Sequence, residues 1–384
     1  MKIVFRKTVI CAAVVPLMSG VSNKNTLEAT EGILIEASLP STCVLTTYDI
    51  QKGVRLTVEA DVIEAGSTIL SASKFSQIVR VMDGGDITLT VDDRNVATIV
   101  SGRSSHTMSA MDAKNFPEIP RLTSQNGFVA GQSVLRGIMS KSMYAMGIND
   151  QRPVLNGMYF TVEGGKLTVV SCDSFKMAVC SINAELSDLA AEGQAPDSKF
   201  ILPNKSVNEL YKLLSDKDEE ATVTIYIGKR NIIFVMGDIT FFSNLIDGEY
   251  VAYNRIIIRT HRIAVECDRD RLISALEHAA LITEEKIAGS VRSHVKLEIS
   301  EGTLKITATS GMGSAYDEVP VIHEGDDLVI AFNNRYLIDS LRACDADRIK
   351  ISMSSALSSI NIEPADDDTT SEDLFYLLPV RMKE

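Results

Sequence analysis

"GMYFTVEGGKLTVVSCDSF", residues 157–175, decides the fold. Two runs in which apolar residues alternate flank a turn at Gly164 and Gly165, the pattern of a β-hairpin. The same outline appears at 32–50, "GILIEASLPSTCVLTTYDI", and at 294–312, "HVKLEISEGTLKITATSGM". Each is followed, after a variable insert, by an apolar run leading into a helix: "STILSASKFSQIVRVM", "FILPNKSVNELYKLL" and "LVIAFNNRYLIDSLRA". A further strand pair follows each: "DITLTVDDRNVATIV", "ATVTIYIGKRNIIFVMG" and "RIKISMSSALSSINIEP". The unit recurs about every 130 residues, a repeat architecture. Each unit is expected to close on an aromatic strand, around Phe116, Tyr250 and Tyr376.

Each hairpin should also have a helix ahead of it. In the second unit it is "GQSVLRGIMSKSMYAM", in the third "RDRLISALEHAALI". In the first the slot holds "RKTVICAAVVPLMSGV", with Pro16 expected to end or kink the helix. A basic then apolar start is also the outline of a secretory signal, so a secreted or surface repeat protein stays open as an alternative. The expected architecture is α+β: three similar domains, residues 1–126, 127–258 and 259–384, each with two helices and two small antiparallel sheets. The stretches "ELSDLAAEGQAPDSK" and "PADDDTTSED" are solvated loops by composition.

The chain has 384 residues, 45% of them hydrophobic, enough for two or three cores. No apolar stretch approaches the ~20 residues of a membrane span. The six cysteines form no C-x-x-C pair and sit beside no histidine at zinc-ligand spacing, so they are expected to be reduced core residues. The net charge of −13 argues on average against a nucleic-acid partner. Its distribution argues otherwise. Lys2, Arg6, Lys7 and Lys24 precede the first acid, Glu28, and the helix around Ser73 carries Lys74 and Arg80. The helix from Gln132 carries Arg136 and Lys141, with no acid before Asp150. The helix from Lys205 carries three lysines against two acids, and Arg335 and Arg342 sit against Asp339. Neutral-to-basic helices with acidic loops suit a polyanion held without base reading. The helices lack base-reading patterns, and the chain lacks the aromatic sets of single-strand binders.

Four lines carry a resemblance: "RPVLNGMYFTVEGGKLTVVSCDSFKMAVCSI", "FFSNLIDGEY", "YLLPVRM" and "SGRSSHTMSAMDAKNFPEIP". They resemble the bacterial DNA sliding clamp, the beta subunit of the replicative DNA polymerase III, along the whole chain. The resemblance implies a cytoplasmic, non-catalytic processivity factor of DNA replication, needing no cofactor or metal. It implies a ring made by a head-to-tail homodimer, with helices lining a hole for double-stranded DNA. It also implies a pocket for short Q-L-x-L-F-like peptides of the polymerase, the clamp loader and repair proteins. By matched motif, one wall of that pocket is Leu155, Cys172, Ser174, Phe175, Lys176 and Met177. The stretch "DGEYVAYNRI" supplies Val251, Arg255 and Ile256. The rest comes from Tyr336, Leu357, Ser359, Tyr376, Leu378, Pro379, Val380, Arg381 and Met382. For DNA the resemblance points to Lys24, Arg152 and Lys205; for the dimer face, to Lys74, Arg103, Met108, Leu281 and Ile282.

The chain departs from the family at "TLEATEG", at "IIIRTH", and at "CDSFK", where Phe175 and Lys176 stand for a His-Arg pair. A paralogue that keeps the ring and changes partners is therefore a further alternative. Acids at the third domain's interface edge are thin, with Asp317 and Glu318 the candidates. The five histidines have no nucleophile at recognisable spacing. "GMGS" at Gly311 reads as a turn, and Asp366 to Asp368 as a solvated acidic loop rather than a metal site.

Overall fold

The computed structural model describes residues 1–22, 27–120, 126–189, 196–283, 286–287, 290–291, 294–311, 313–365 and 371–382. A β-α-β-β-β motif is written six times. The first copy is β1 (Lys2–Arg6), α1 (Lys7–Leu17), β2 (Gly32–Ser38), β3 (Thr42–Tyr48) and β4 (Lys52–Glu59). The second is β5 (Gly66–Ser71), α2 (Ala72–Val81), β6 (Asp86–Val91), β7 (Val96–Ser101) and β8 (Ser104–Met111). The third is β9 (Gly127–Gly131), α3 (Gln132–Ser142), β10 (Gly157–Glu163), β11 (Lys166–Cys172) and β12 (Lys176–Asn183). The fourth is β13 (Ser198–Pro203), α4 (Asn204–Leu213), β14 (Thr222–Ile227), β15 (Asn231–Met236) and β16 (Ile239–Asn244). The fifth is β17 (Ile263–Asp268), α5 (Arg269–Thr283), β18 (His294–Ser300), β19 (Thr303–Ser310) and β20 (Gly313–Pro320). The sixth is β21 (Leu328–Asn333), α6 (Asn334–Ala343), β22 (Arg348–Met353), β23 (Ile360–Pro364) and β24 (Ser371–Leu377).

The chain packs as two units. Unit 1 is Met1–Ser133, Leu186–Pro196 and Glu209–Leu245; unit 2 is Val134–Glu185, Asp197–Asn208 and Ile246–Glu384. Unit 1 holds a continuous antiparallel sheet in the order β9-β14-β15-β16-β4-β3-β2-β5-β8-β7-β6-β1, with short strands Ser187–Asp188 and Asp61–Glu64 at its ends. Unit 2 holds a nine-stranded sheet, β13-β10-β11-β12-β24-β23-β22-β17 plus Ile322–Glu324, and a four-stranded sheet, β20-β19-β18-β21. The small sheets expected of single repeats thus merge where β16 pairs with β4 and β12 with β24.

The opening segment belongs to this fold. β1 pairs with β6 through five residue pairs and buries Ile3 and Phe5. α1 buries Ile10, Ala13, Val14 and Leu17 and packs against α2. Each large side chain so buried stabilises the unit by about 1.5–3 kcal/mol. Pro16 lies in the last turn, as expected, where it removes one intrahelical hydrogen bond and little helix remains beyond it to disrupt. The helix end is satisfied by neighbours: Thr47 Oγ1 donates to Leu17 O at 2.7 Å and Lys52 Nζ to Ser19 O at 2.6 Å. Gly20 allows this close docking, because a Cβ there would lie 2.3 Å from Thr47 Oγ1.

Two expectations are corrected. Of the three closing aromatics only Tyr376 lies in a strand. Phe116 follows a one-turn helix, just before Pro117, and packs on Ala29, Leu34 and Ile69. Tyr250 sits in an irregular segment with its ring stacked on Tyr159 at 4.8 Å. Both are aromatic anchors under a chain crossing, which composition does not separate from strand residues. Lys141, read among the basic helix residues that suit a polyanion, is engaged inside unit 2 instead. Its ammonium donates to Asp373 Oδ2 (2.7 Å) and Ser371 Oγ (2.9 Å) and pairs with Asp345 (2.9 Å). Burial opposes the charge on Lys141, yet these acceptors outweigh it and hold its pKa above the ordinary lysine range.

Lys141→Met leaves the buried Asp373 carboxylate without its cation, and we expect a loss of about 3 kcal/mol in urea unfolding. A raised folded pKa makes this contribution complete below the ordinary lysine value of about 10.4 and lost only as pH rises through the folded value. The gap between variant and wild type should therefore stay constant from about pH 7 to 9. A gap below about 0.5 kcal/mol would show that the network is not stabilising.

Candidate functional site

In unit 2, strand register gathers the site. β11 ends at Cys172, and β12 starts at Lys176 beside it. β24 is antiparallel to β12, so it ends at Leu377 at the same end of the sheet. β23 begins and β22 ends there too, joined by the turn 354–359. β17 begins there, opposite Met353, which brings in the segment 246–262. β10 begins there with Gly157 opposite Pro203, which brings in the one-turn helix Pro153–Asn156 and the start of α4. Six chain crossings thus converge on one end of one sheet. All the residues matched to the peptide pocket, with Arg152 and Lys205, lie on these crossings, on the strand ends beside them or on α6.

One cross-strand row forms the floor: Cys172, Met177, Tyr376 and Asn361 are successive partners. Met177 and Tyr376 are buried with Val170 and Ile257, and Tyr159, Cys172, Tyr250 and Tyr253 pack against them. Leu378 N continues the ladder by donating to Phe175 O at 2.9 Å, and Val380 N donates to Ala331 O at 2.7 Å. These bonds fix the start of the tail. Above the floor the apolar side chains are open. Phe175 is 56% exposed and Leu357 71%, and Ile256, Leu378, Val380 and Met382 are exposed as well. Apolar groups held open at one place mark an interaction surface. Leu155 is fully buried beneath it, and Ser359 is buried with its hydroxyl unpartnered. Val251 and Pro379 are half-buried, while Arg255 and Arg381 are exposed.

The turn 173–175 is held by Asp173, whose Oδ1 accepts from Phe175 N (2.7 Å) and Lys176 N (2.8 Å). Lys176 is 8% exposed, paired with Asp173, and its ammonium lies 4.6 Å from the centroid of the Tyr336 ring. The Phe175 ring is 6.2 Å from Tyr336. Lys176 is thus occupied internally, and Phe175 is the part of this pair offered to a ligand. A cleft of about 400 Å³ lies beside them, with Tyr144, Met146 and Ile148 in its lining. Arg152 donates to Ser174 Oγ at 3.0 Å and pairs with Asp150 at 3.2 Å. The guanidinium and backbone N–H of Arg152 hold the Asp150 carboxyl below the usual range. Asp150 and Asp173 were missed in the sequence. Asp173 at the head of "DSFK" is an Asx-turn signal that could have found it.

Lys205 is exposed near the start of α4. Lys24, and the Asp366 to Asp368 run, lie outside the described residues. Lys74 is exposed on α2, Arg103 is in the β7–β8 turn and Met108 on β8, all in unit 1. Leu281, strongly exposed, and Ile282 are on the last turn of α5. Asp317 accepts from His278 at 3.0 Å, which holds its carboxyl below the usual range, and Tyr316 donates to Glu318. All six cysteines are free. Among the described residues no group of three or more His, Cys, Asp or Glu could hold a metal, and no helix is long and apolar enough to cross a membrane.

Comparison with known proteins agrees along the chain. Residues 1–120, 130–251 and 254–378 match the N-terminal, central and C-terminal domains of the DNA polymerase III beta subunit. The beta sliding clamp of Staphylococcus epidermidis is 25% identical over 374 residues, 95% of either chain. The solved DNA polymerase III subunit beta of Pseudomonas aeruginosa is 27% identical with a TM-score of 0.89, and the Bacillus subtilis clamp shares the fold at 23% and 0.91; both comparisons span 100% of each chain. The chain belongs to the DNA polymerase III beta subunit family, the bacterial DNA sliding clamps. Its function is that of a processivity clamp in DNA replication.

Burial, reinforced by Asp173, pushes the Cys172 thiol up to about 11. We expect alkylation of Cys172 by iodoacetamide to be slow at neutral pH and to rise about tenfold per pH unit. A plateau near pH 8, read by peptide mass mapping, would contradict this placement.

Proposed function

We propose that two copies close head to tail into a ring around duplex DNA and hold the replicative polymerase, the clamp loader and repair proteins by short Q-L-x-L-F-like peptides. The chain itself does no chemistry in this reading and works in the cytoplasm. The proposed domains are residues 1–126, 127–258 and 259–384, each made of two copies of the repeated motif; the family's matches at 1–120 and 130–251 fall inside the first two limits, and its third, 254–378, begins five residues ahead of 259.

One observation carries the peptide reading: exposed Phe175, Ile256, Leu357, Leu378, Val380 and Met382 surround a buried floor at one end of one sheet. Leu and Phe side chains of a peptide suit apolar walls, and Met adapts to several partners. The dimer reading is supported by open strand edges. Among the described residues β20 pairs only with β19, and residues 104–109 of β8 pair only with β7. Lys74, Arg103 and Met108 of one copy would face Leu281 and Ile282 of the other. The DNA reading assigns Lys24, Arg152 and Lys205 to phosphates. Lys205 makes no ion pair among the described residues, whereas Arg152 is shared with Asp150 and Ser174. Lys205 is therefore the better provided for phosphate.

A fluorescent Q-L-x-L-F peptide should bind saturably to the wild type and lose that binding when residues 381–384 are removed. No binding by a folded wild type would leave the ring with other partners, the paralogue reading that Phe175 and Lys176 raise. Lys205→Ala and Lys24→Ala should weaken DNA contact equally across sequences and reduce the salt slope by about one each. A loss that depends on base sequence would overturn the sliding contact.

A further inference from the structure

The face of the nine-stranded sheet that carries Met177 and Tyr376 continues into a second, larger cleft of about 1040 Å³. Its floor comes from β12, β24, β23 and β22, and its wall is the segment 253–262. None of the residues matched to the peptide pocket lines it. We propose that this cleft binds an acidic peptide segment of a partner protein. The peptide lies along the sheet, with a backbone N–H on Asn361 Oδ1 and carboxylates on Arg259 and Arg262.

Asn361 is the key to the floor. It is 3% exposed, and its Nδ2 donates to Ile258 O at 2.9 Å. A carbonyl oxygen only accepts, so the amide orientation is fixed and Oδ1 points elsewhere. That oxygen is buried and has no partner. Buried acceptors are normally satisfied, so an unmet one in a cleft asks for a donor. The wall supplies the opposite chemistry. Arg259 and Arg262 are exposed, and neither makes an ion pair among the described residues. His261 is turned back on the wall itself, with Nε2 2.8 Å from Ile258 O.

The other charges in the lining are largely balanced. Lys166 pairs with Glu372 at 2.7 Å, Asp373 with Lys141 at 2.7 Å, and Lys350 is the cross-strand neighbour of Glu363. Glu324 stands at the far edge, opposite Ala264. A fully ionised phosphate group offers no donor to Asn361. A peptide offers both halves: N–H donors for the floor, and carboxylates that guanidinium groups grip in two-pronged fashion. The open length of the face suits an extended segment whose alternate side chains face the wall.

The test uses the full chain and a fluorescein-labelled peptide of about eight residues in which Glu and Val alternate. Anisotropy should show saturable binding that weakens with salt and falls at least about tenfold in the double variant Arg259→Glu, Arg262→Glu. The Q-L-x-L-F peptide should not displace it, and the double variant should keep its affinity for Q-L-x-L-F, so this site and the peptide pocket stand or fall separately. The proposal is overturned by absence of saturation in the wild type, by equal binding in the double variant, or by displacement with Q-L-x-L-F. Equal displacement by a single-stranded oligonucleotide of matching charge would also overturn it, since the cleft would then be a general anion surface.

Discussion

The pairing of β12 with β24 is the interaction on which unit 2 depends. Seven residue pairs, Lys176 with Leu377 through Ile182 with Ser371, join strands nearly two hundred positions apart in the chain. A register slip of one residue between them would put Met177 and Tyr376 on opposite faces and break the floor of the site. The helices reinforce that register. Lys141 on α3 reaches Ser371 and Asp373 on β24, and the Tyr144 ring meets Phe375 at 6.3 Å. The ammonium of Lys141 has few other acceptors, so it selects one alignment of β24. Polar groups in a core specify arrangement better than they add stability. Unit 1 solves the same problem through β16 and β4, where five pairs run from Ile239 with Leu56 to Ser243 with Lys52.

Continuous sheets also explain why one end of a sheet becomes a site. Antiparallel strands return to the same end at every second crossing, so their turns, first residues and last residues collect there. Strand interiors hold the backbone rigid while the crossings stay free to present side chains. Phe175 and Leu357 are exposed on such crossings, yet the residues beside them, Lys176 and Ser359, are buried. The surface is therefore apolar without being loose, a condition for binding several peptides without paying to order the site each time.

Much of this was legible in the sequence, for physical reasons. Alternation at Met158, Phe160 and Val162 and again at Leu167 and Val169 reports a half-buried strand directly, and its threefold recurrence reports the repeat. The six helices were legible from apolar spacing and from the strands that feed them. The merging of sheets was not, because pairing between β12 and β24 is set by geometry over a long separation. Lys141 was misplaced for the same reason: its partners Asp345 and Asp373 are remote in the chain. The peptide-site residues came from family resemblance, since Leu155 and Met177 are indistinguishable from core residues by type. In the structure Leu155 and Met177 are indeed buried, and exposed apolar residues surround them.

The departure at "CDSFK" has a consistent physical account. Asp173 organises the turn through two backbone N–H groups and also pairs with Lys176. Tyr336 on α6 takes the other side of that ammonium, at 4.6 Å. Lys176 is thereby sandwiched between a carboxylate and an aromatic face, and its long stem is withdrawn from the surface. With the cation withdrawn, Phe175 is left as the exposed member of the pair, and the rim it forms is aromatic. A peptide bound there as proposed would meet a broad apolar edge at the position where a His-Arg pair would offer polar donors. On the proposed peptide reading that rim would favour larger apolar side chains, because an aromatic edge rewards buried area and leaves a ligand acceptor unmatched.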